Sequence, residues 1–344
     1  MKLSLVELAT VAPGADKPQA LNDALDAARQ AEDLGYHRIW YAEHHDTAGF
    51  AAQAPEILIA LAARATSRIR VGSGAVLLNH YSPYKVAETF LQLEALAPGR
   101  IDLGLGRATA GPLIDLALRR DRHTPPADDY DQQIEEVLAH LGLRPAEGSA
   151  FARLDPPAGI PTRPQVWILG SSGTSAQTAA ELGLGYAFAG FTNPDAAPRA
   201  LLRHGAYAHA VTGPADRRAL LAVSAVVADT DAEARRLSWI RTALLARTVR
   251  TGTSALVPTV EEAAAELSDA EKNAPTVITD GRWPRQIAGS PATVRDQIEQ
   301  MTKATGVDEV MVQDMIADPQ TRIHSRTLLA QALGVTPEPT TPTA

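Results

Sequence analysis

Residues 43–46 read Glu-His-His-Asp and follow the strand-like run "HRIWYA" (37–42). Four ionisable groups in a row are costly to bury without partners. They mark a metal site, an acid–base site or a solvated turn. Zinc takes its ligands from one face, as in H-x-H or H-E-x-x-H spacing, whereas adjacent His44 and His45 point differently. His80 adds another imidazole, but no motif joins it to them. No metal is expected. A catalytic imidazole is favoured over a solvated turn: histidine titrates near neutrality, and Glu43 or Asp46 is placed to fix its tautomer.

A second stretch, "GSSGTS" (170–175), is a small-residue turn that opens a helical run. Such a turn presents free backbone N–H groups and hydroxyls to an anion, phosphate being the natural guest. A plain Ser-rich N-cap is the alternative. Arg107 closes another strand-like run, and a guanidinium suits a phosphate.

The elements that must position these groups alternate along the chain. Strand-like runs fall at 2–8, 38–42, 68–78, 100–106, 165–170, 185–190, 219–228 and 308–315. Helical runs fall at 17–35, 54–67, 82–99, 126–142, 174–183, 194–210, 230–248, 290–306 and 318–334. Gly35 reads as a C-cap, and Ser82 as an N-cap before Pro83. Eight strands, each followed by a helix, predict an α/β fold, a closed (β/α)8 TIM barrel. The rival, an open doubly wound sheet, lacks its G-x-G-x-x-G fingerprint. Residues 1–334 are expected to form one barrel domain, with inserted loops at 143–164 and 250–290. A short helix is expected near 260–273, and a disordered tail at 335–344.

In such a barrel the site lies at the C-terminal ends of the strands. Those ends collect Glu43 to Asp46, "GSGA" (72–75), Asn79, His80, Tyr81, Arg107, Thr109, the serine turn, Gln313 and Asp314.

Composition narrows the field. Of 344 residues 45% are hydrophobic, enough for a real core, and the net charge of −8 argues against a nucleic-acid binder. There are no cysteines, which excludes disulfides, Fe–S clusters, thiolate zinc and a Cys nucleophile. Neither a signal peptide nor a long apolar span is read, so no membrane association and a cytoplasmic location are expected.

Together "WYAEHH", "ATSRIRVGSGAVLL", "VAETFLQLEALAPGRIDLGLGRA" and "LGSSGTSAQTAAELGLGYAFA" resemble the bacterial-luciferase-like flavin monooxygenases, especially their single-chain oxidoreductases, including those of secondary metabolism. The likeness covers roughly 1–110, 160–230 and 285–334. It implies a (β/α)8 barrel binding reduced FMN, or in some branches the deazaflavin F420. FMNH2 would come from a separate flavin reductase and react with O2 to a C4a-hydroperoxyflavin that oxygenates a small organic substrate. Carried over residue by residue, His44 matches the catalytic histidine and Glu43 its acidic neighbour. Arg107 matches the arginine near the flavin phosphate. Ser171 and Thr174, with the backbone of Gly170, Ser172 and Gly173, match the phosphate turn. Gly74–Ala75 matches a non-prolyl cis peptide beneath the isoalloxazine ring.

The chain also departs from the family. "GRATAG" stands where many relatives read "GRAPG", and "LLNHYSPY" replaces a Pro-containing loop, so Tyr81 and Tyr84 are candidates to shape the pocket. Gly106 replaces the reactive cysteine of light-emitting members, so light emission is not implied. Segment 250–290 corresponds to the family's mobile loop, a candidate lid. A homodimer is typical of the family. The rival activities are F420-dependent hydride transfer and a non-catalytic flavin-binding or regulatory subunit; the intact "EHH" argues against the latter.

Overall fold

In the computed structural model, residues 1–107, 111–124, 128–145, 151, 154, 159–212, 218–251 and 255–337 are described, 211 and 212 by backbone only. The elements run β1 (Lys2–Glu7), α1 (Lys17–Asp33), β2 (Arg38–Tyr41), α2 (Pro55–Ala65), β3 (Arg70–Ser73), β4 (Val76–Leu77), α3 (Pro83–Leu96), β5 (Ile101–Gly106), α4 (Pro112–Leu118), α5 (Tyr130–His140), β6 (Gln165–Gly170) and α6 (Gly173–Glu181). They continue as β7 (Gly185–Ala189), α7 (Ala197–Thr212), β8 (Ala219–Val227), α8 (Asp231–Thr251), α9 (Val260–Glu266), α10 (Asp269–Lys272), β9 (Ile287–Gly289), α11 (Pro291–Thr305), β10 (Glu309–Gln313) and α12 (Pro319–Ala332).

Eight parallel strands close a ring in the order β1, β2, β3, β5, β6, β7, β8, β10, and β10 pairs with both β8 and β1. This is the expected barrel. The run at 68–78 is two strands, β3 and β4, parted by a cis peptide between Gly74 and Ala75. Strand β9 extends the far end of β8 through Ala225 to Val227. Neither β9 nor α4 is visible in the strand and helix pattern of the sequence.

Local chemistry sets the joints. Asp16 caps α1 by accepting the Gln19 N–H at 2.9 Å, and Gly35 follows the helix at φ +85°, a region glycine enters freely. Ser82 occupies the N-cap position of α3 but makes no side-chain cap bond.

Strand residues alternate between two apolar layers. Leu3, Leu5, Ile39, Val71, Ile101 and Val310 pack outward under the helices. Val6, Leu8, Trp40, Ala42, Trp167, Ala187, Leu220, Ala222 and Met311 fill the barrel interior. Trp40 and Trp167 meet edge-on at 5.4 Å between centroids. Beneath them Arg38 bridges Asp102 and Glu309 at 2.6 Å each and lies 4.7 Å from the Trp167 ring. This buried, fully paired cation plugs the N-terminal end of the barrel, leaving the opposite rim open.

Of the tail expected to be disordered, 335–337 are described. Val335 packs on the core, and Thr336 and Pro337 press on Gly35. The remainder of the tail, Thr109 and parts of both inserted loops lie outside the described residues.

Candidate active site

A cavity of about 530 Å3 opens at the C-terminal rim. It is lined by Glu43, His44, Gly74, Ala75, Arg107, Gly170, Ser171, Ser172 and Thr174, and by Gln313 on the far side. Of the residues matched to the family's catalytic and flavin-binding positions, all line it except Gly173, which lies behind the turn with Arg203 beside it; Asn79, His80 and Tyr81 face a neighbouring pocket instead.

His44 enters from the loop after β2, its backbone N–H bonded to the Ala52 carbonyl at 2.9 Å. Its ring lies 5.0 Å from that of Phe50, and its Nδ1 is buried without a hydrogen-bond partner among the described residues. Burial, then the neighbouring His45, push the imidazole down to about 4. His44 is therefore neutral at pH 7, whereas an exposed histidine would carry a partial charge there.

Glu43 does not orient His44, contrary to the sequence expectation. Its buried carboxylate meets His45 Nε2 at 2.7 Å and accepts from the Leu77 N–H and the Tyr81 hydroxyl, both at 2.9 Å. Asp46 is exposed, at φ +47°. Tyr81 thus braces Glu43, while Tyr84 is exposed against His140; neither lines this cavity. His80 Nε2 stands 3.2 Å from Asp115 Oδ1. Among the described residues no group of three or more His, Asp or Glu could hold a metal ion.

The serine turn has the geometry of an anion cradle. Ser172 sits at the N-cap of α6 yet makes no side-chain cap bond, so the first amides of the helix lack a side-chain acceptor. The turn is held from behind: Tyr186 Oη donates to the Ser172 carbonyl at 2.8 Å, and Asn193 Nδ2 to the Ser171 carbonyl at 3.2 Å. Gly170 is sterically required, because a Cβ there would stand 2.1 Å from Ser175 Oγ. Arg107 is exposed at the rim, paired with Asp128 and stacked toward Tyr130 at 5.9 Å.

The floor is flat, since Gly74, Ala75 and Gly106 carry at most a methyl. Val6, Leu8, Leu77, Ile168, Leu169 and Phe191 make the walls apolar. Gln313 Oε1 is buried and unpartnered among the described residues, whereas Asp314 turns away to Arg326 Nε at 2.7 Å. Sequence reading missed Tyr130, Phe191, Thr192 and the Arg203 beside the turn. These arrive through tertiary packing, with no local motif.

Comparison with known proteins agrees with this architecture. A family profile described as luciferase-like monooxygenase matches residues 1–309. A luciferase-like monooxygenase of Escherichia coli (strain K12) is 32% identical over 322 residues, 94% of each chain. The crystal structure of apo-MsnO8 superposes with a TM-score of 0.86 at 42% identity, covering 98% of this chain and 99% of that one. The oxygenating constituent of 3,6-diketocamphane monooxygenase from Pseudomonas putida, solved with FMN, shares the fold at TM-score 0.69 and 22% identity, covering 100% and 99%.

Proposed function

The chain belongs to the luciferase-like monooxygenase family, and on that premise we propose that it uses reduced FMN and O2 to oxygenate a small organic substrate. Membership makes it an oxidoreductase enzyme. One observation carries the finer reading: a turn whose N-cap makes no side-chain cap bond, a rim arginine, a flat floor and an imidazole whose buried Nδ1 has no partner among the described residues share one cavity.

The residues present fit FMN. The amides opening α6, with Ser171 and Thr174, would hold the phosphate, and Arg107 would add charge. Gly74 and Ala75 would lie under the ring system. When bound, the reduced flavin supplies the electrons that activate O2 for transfer to the substrate. His44, neutral and lacking a partner at Nδ1, offers one hydrogen bond or accepts one proton at that atom. The apolar walls exclude water from the reacting groups. Glu43 acts at one remove, by holding the loop that carries His44.

Titration with FMN, FMNH2 and F420 side by side tests this, followed by oxygen consumption with a separate flavin reductase, NADH and FMN. Tight FMNH2 binding with consumption above the reductase background is expected. Binding of F420 alone, with anaerobic turnover, would move the activity to hydride transfer. Flavin binding without consumption would indicate a flavin-binding or regulatory subunit.

A further inference from the structure

We propose that the pocket beside the reaction cavity holds the polar end of the organic substrate, and that this end is a neutral group carrying both hydrogen-bond donors and an acceptor, of the carboxamide class. The proposal rests on the flavin reading above and adds the substrate class.

The pocket measures about 680 Å3, and Arg107 and Tyr130 line both it and the reaction cavity. A flavin is itself a drug-sized ligand and takes up much of a cavity of about 530 Å3. The remainder of a substrate needs space beyond it, and the wall made by Arg107 and Tyr130 is where the two volumes meet.

Three residues that line this pocket carry buried polar atoms without partners. Tyr130 and Gln133 lie on one face of α5, three positions apart. Tyr130 Oη and Gln133 Oε1 have no hydrogen-bond partner among the described residues. Gln133 Nε2 donates to Asp129 Oδ1 at 2.8 Å, which fixes the carboxamide with its oxygen free. Burial pushes the Tyr130 phenol up, so its hydroxyl keeps its proton and can donate. The third residue is His80, in the turn after β4, with its side chain 5% exposed and its Nε2 3.2 Å from Asp115 Oδ1. That carboxylate favours the proton on Nε2. Nδ1, also buried and unpartnered, is then an acceptor.

The set is one hydroxyl donor and two acceptors. A primary carboxamide is its complement: the carbonyl takes the Tyr130 proton, and the two N–H bonds serve Gln133 Oε1 and His80 Nδ1. Buried polar atoms left unpaired are costly, and such a group satisfies all three. Charge does not select an ion here. Arg107, Arg119 and Arg120 share the lining with four aspartates, and Arg107 is already paired with Asp128.

Calorimetric titration of octanamide and 2-nonanone tests the assignment, with octanoate as the charged control. The amide and the ketone share chain and carbonyl and differ only in NH2 against CH3. The wild-type chain saturated with FMN is expected to bind octanamide at least about tenfold more tightly than either. Gln133→Met, which removes one acceptor, should cut the preference over 2-nonanone to within about threefold and leave FMN affinity unchanged. Equal binding of amide and ketone, tighter binding of octanoate, an amide preference that survives Gln133→Met, or displacement of octanamide by FMN would overturn the proposal. Failure of the wild-type chain to bind FMN would instead reject the flavin reading. Should Gln133→Met fail to fold, the amide–ketone comparison on the wild-type chain decides alone.

Discussion

The Glu43 carboxylate accepts the Leu77 backbone N–H at 2.9 Å, so the loop after β2 is tied directly to β4, across the floor of the cavity. Two further contacts, to His45 and Tyr81, complete its coordination. Glu43→Ala would strand a buried amide and a hydroxyl and should cost ~2–4 kcal/mol, with Glu43→Gln milder because it keeps an acceptor for the amide. Urea midpoints at unchanged m-value measure this. A Glu43→Ala chain as stable as wild type would remove the clamp.

His44 is expected to serve chemistry rather than flavin affinity. His44→Ala should hold FMN within about threefold and lose roughly a hundredfold or more in turnover. Steady-state rates with a saturating reductase read this, and undiminished turnover rejects the role.

The same residue links stability to pH. Its folded pKa is about 4, against 6.5 as the ordinary value. Between those values the unfolded chain binds a proton that the folded chain excludes, so stability declines as pH falls through this window. Above it the term is flat. Chemical denaturation from pH 7 to 4.5 should show a shallower decline for His44→Asn than for wild type; identical slopes would contradict it.

Arg107 should discriminate between flavins. Arg107→Ala is expected to weaken FMN by roughly tenfold and riboflavin much less, since only the phosphate meets the guanidinium. Fluorescence titration of both flavins separates the cases, and equal weakening takes Arg107 out of the phosphate site.

Much of the fold was legible because barrel strands buried on both faces read as near-continuous apolar runs, as in "RIWY" and "QVWILG". The anion turn was legible from its small residues. Helix α4 was not: "PLIDLAL" is apolar apart from Asp115 and none of it is buried, and so short an apolar run does not tell helix from strand. In 260–273 the expected helix is two, each with its own capping box, Thr259 with Glu262 and Ser268 with Glu271. The T-x-x-E and S-x-x-E spacing in the sequence marks both starts. Which imidazole Glu43 would choose was not readable at all. It depends on the backbone path of the loop after β2, which turns His45 rather than His44 toward the carboxylate. Arg241 of α8 shows the same limit: it is buried, yet a lone arginine in a helical run looks solvated until packing covers it.

The ring is shut by its two extremes. Val6 stands level with Gln313, and Glu7 accepts from Arg326 at 2.8 Å, 319 positions away. A growing polypeptide therefore carries the imidazole and the serine bend long before it owns a cavity. The enclosure comes into being only as the final strand slots between the first and its other neighbour. Shortened products ending ahead of that strand should be inert, however many of the working side chains they retain.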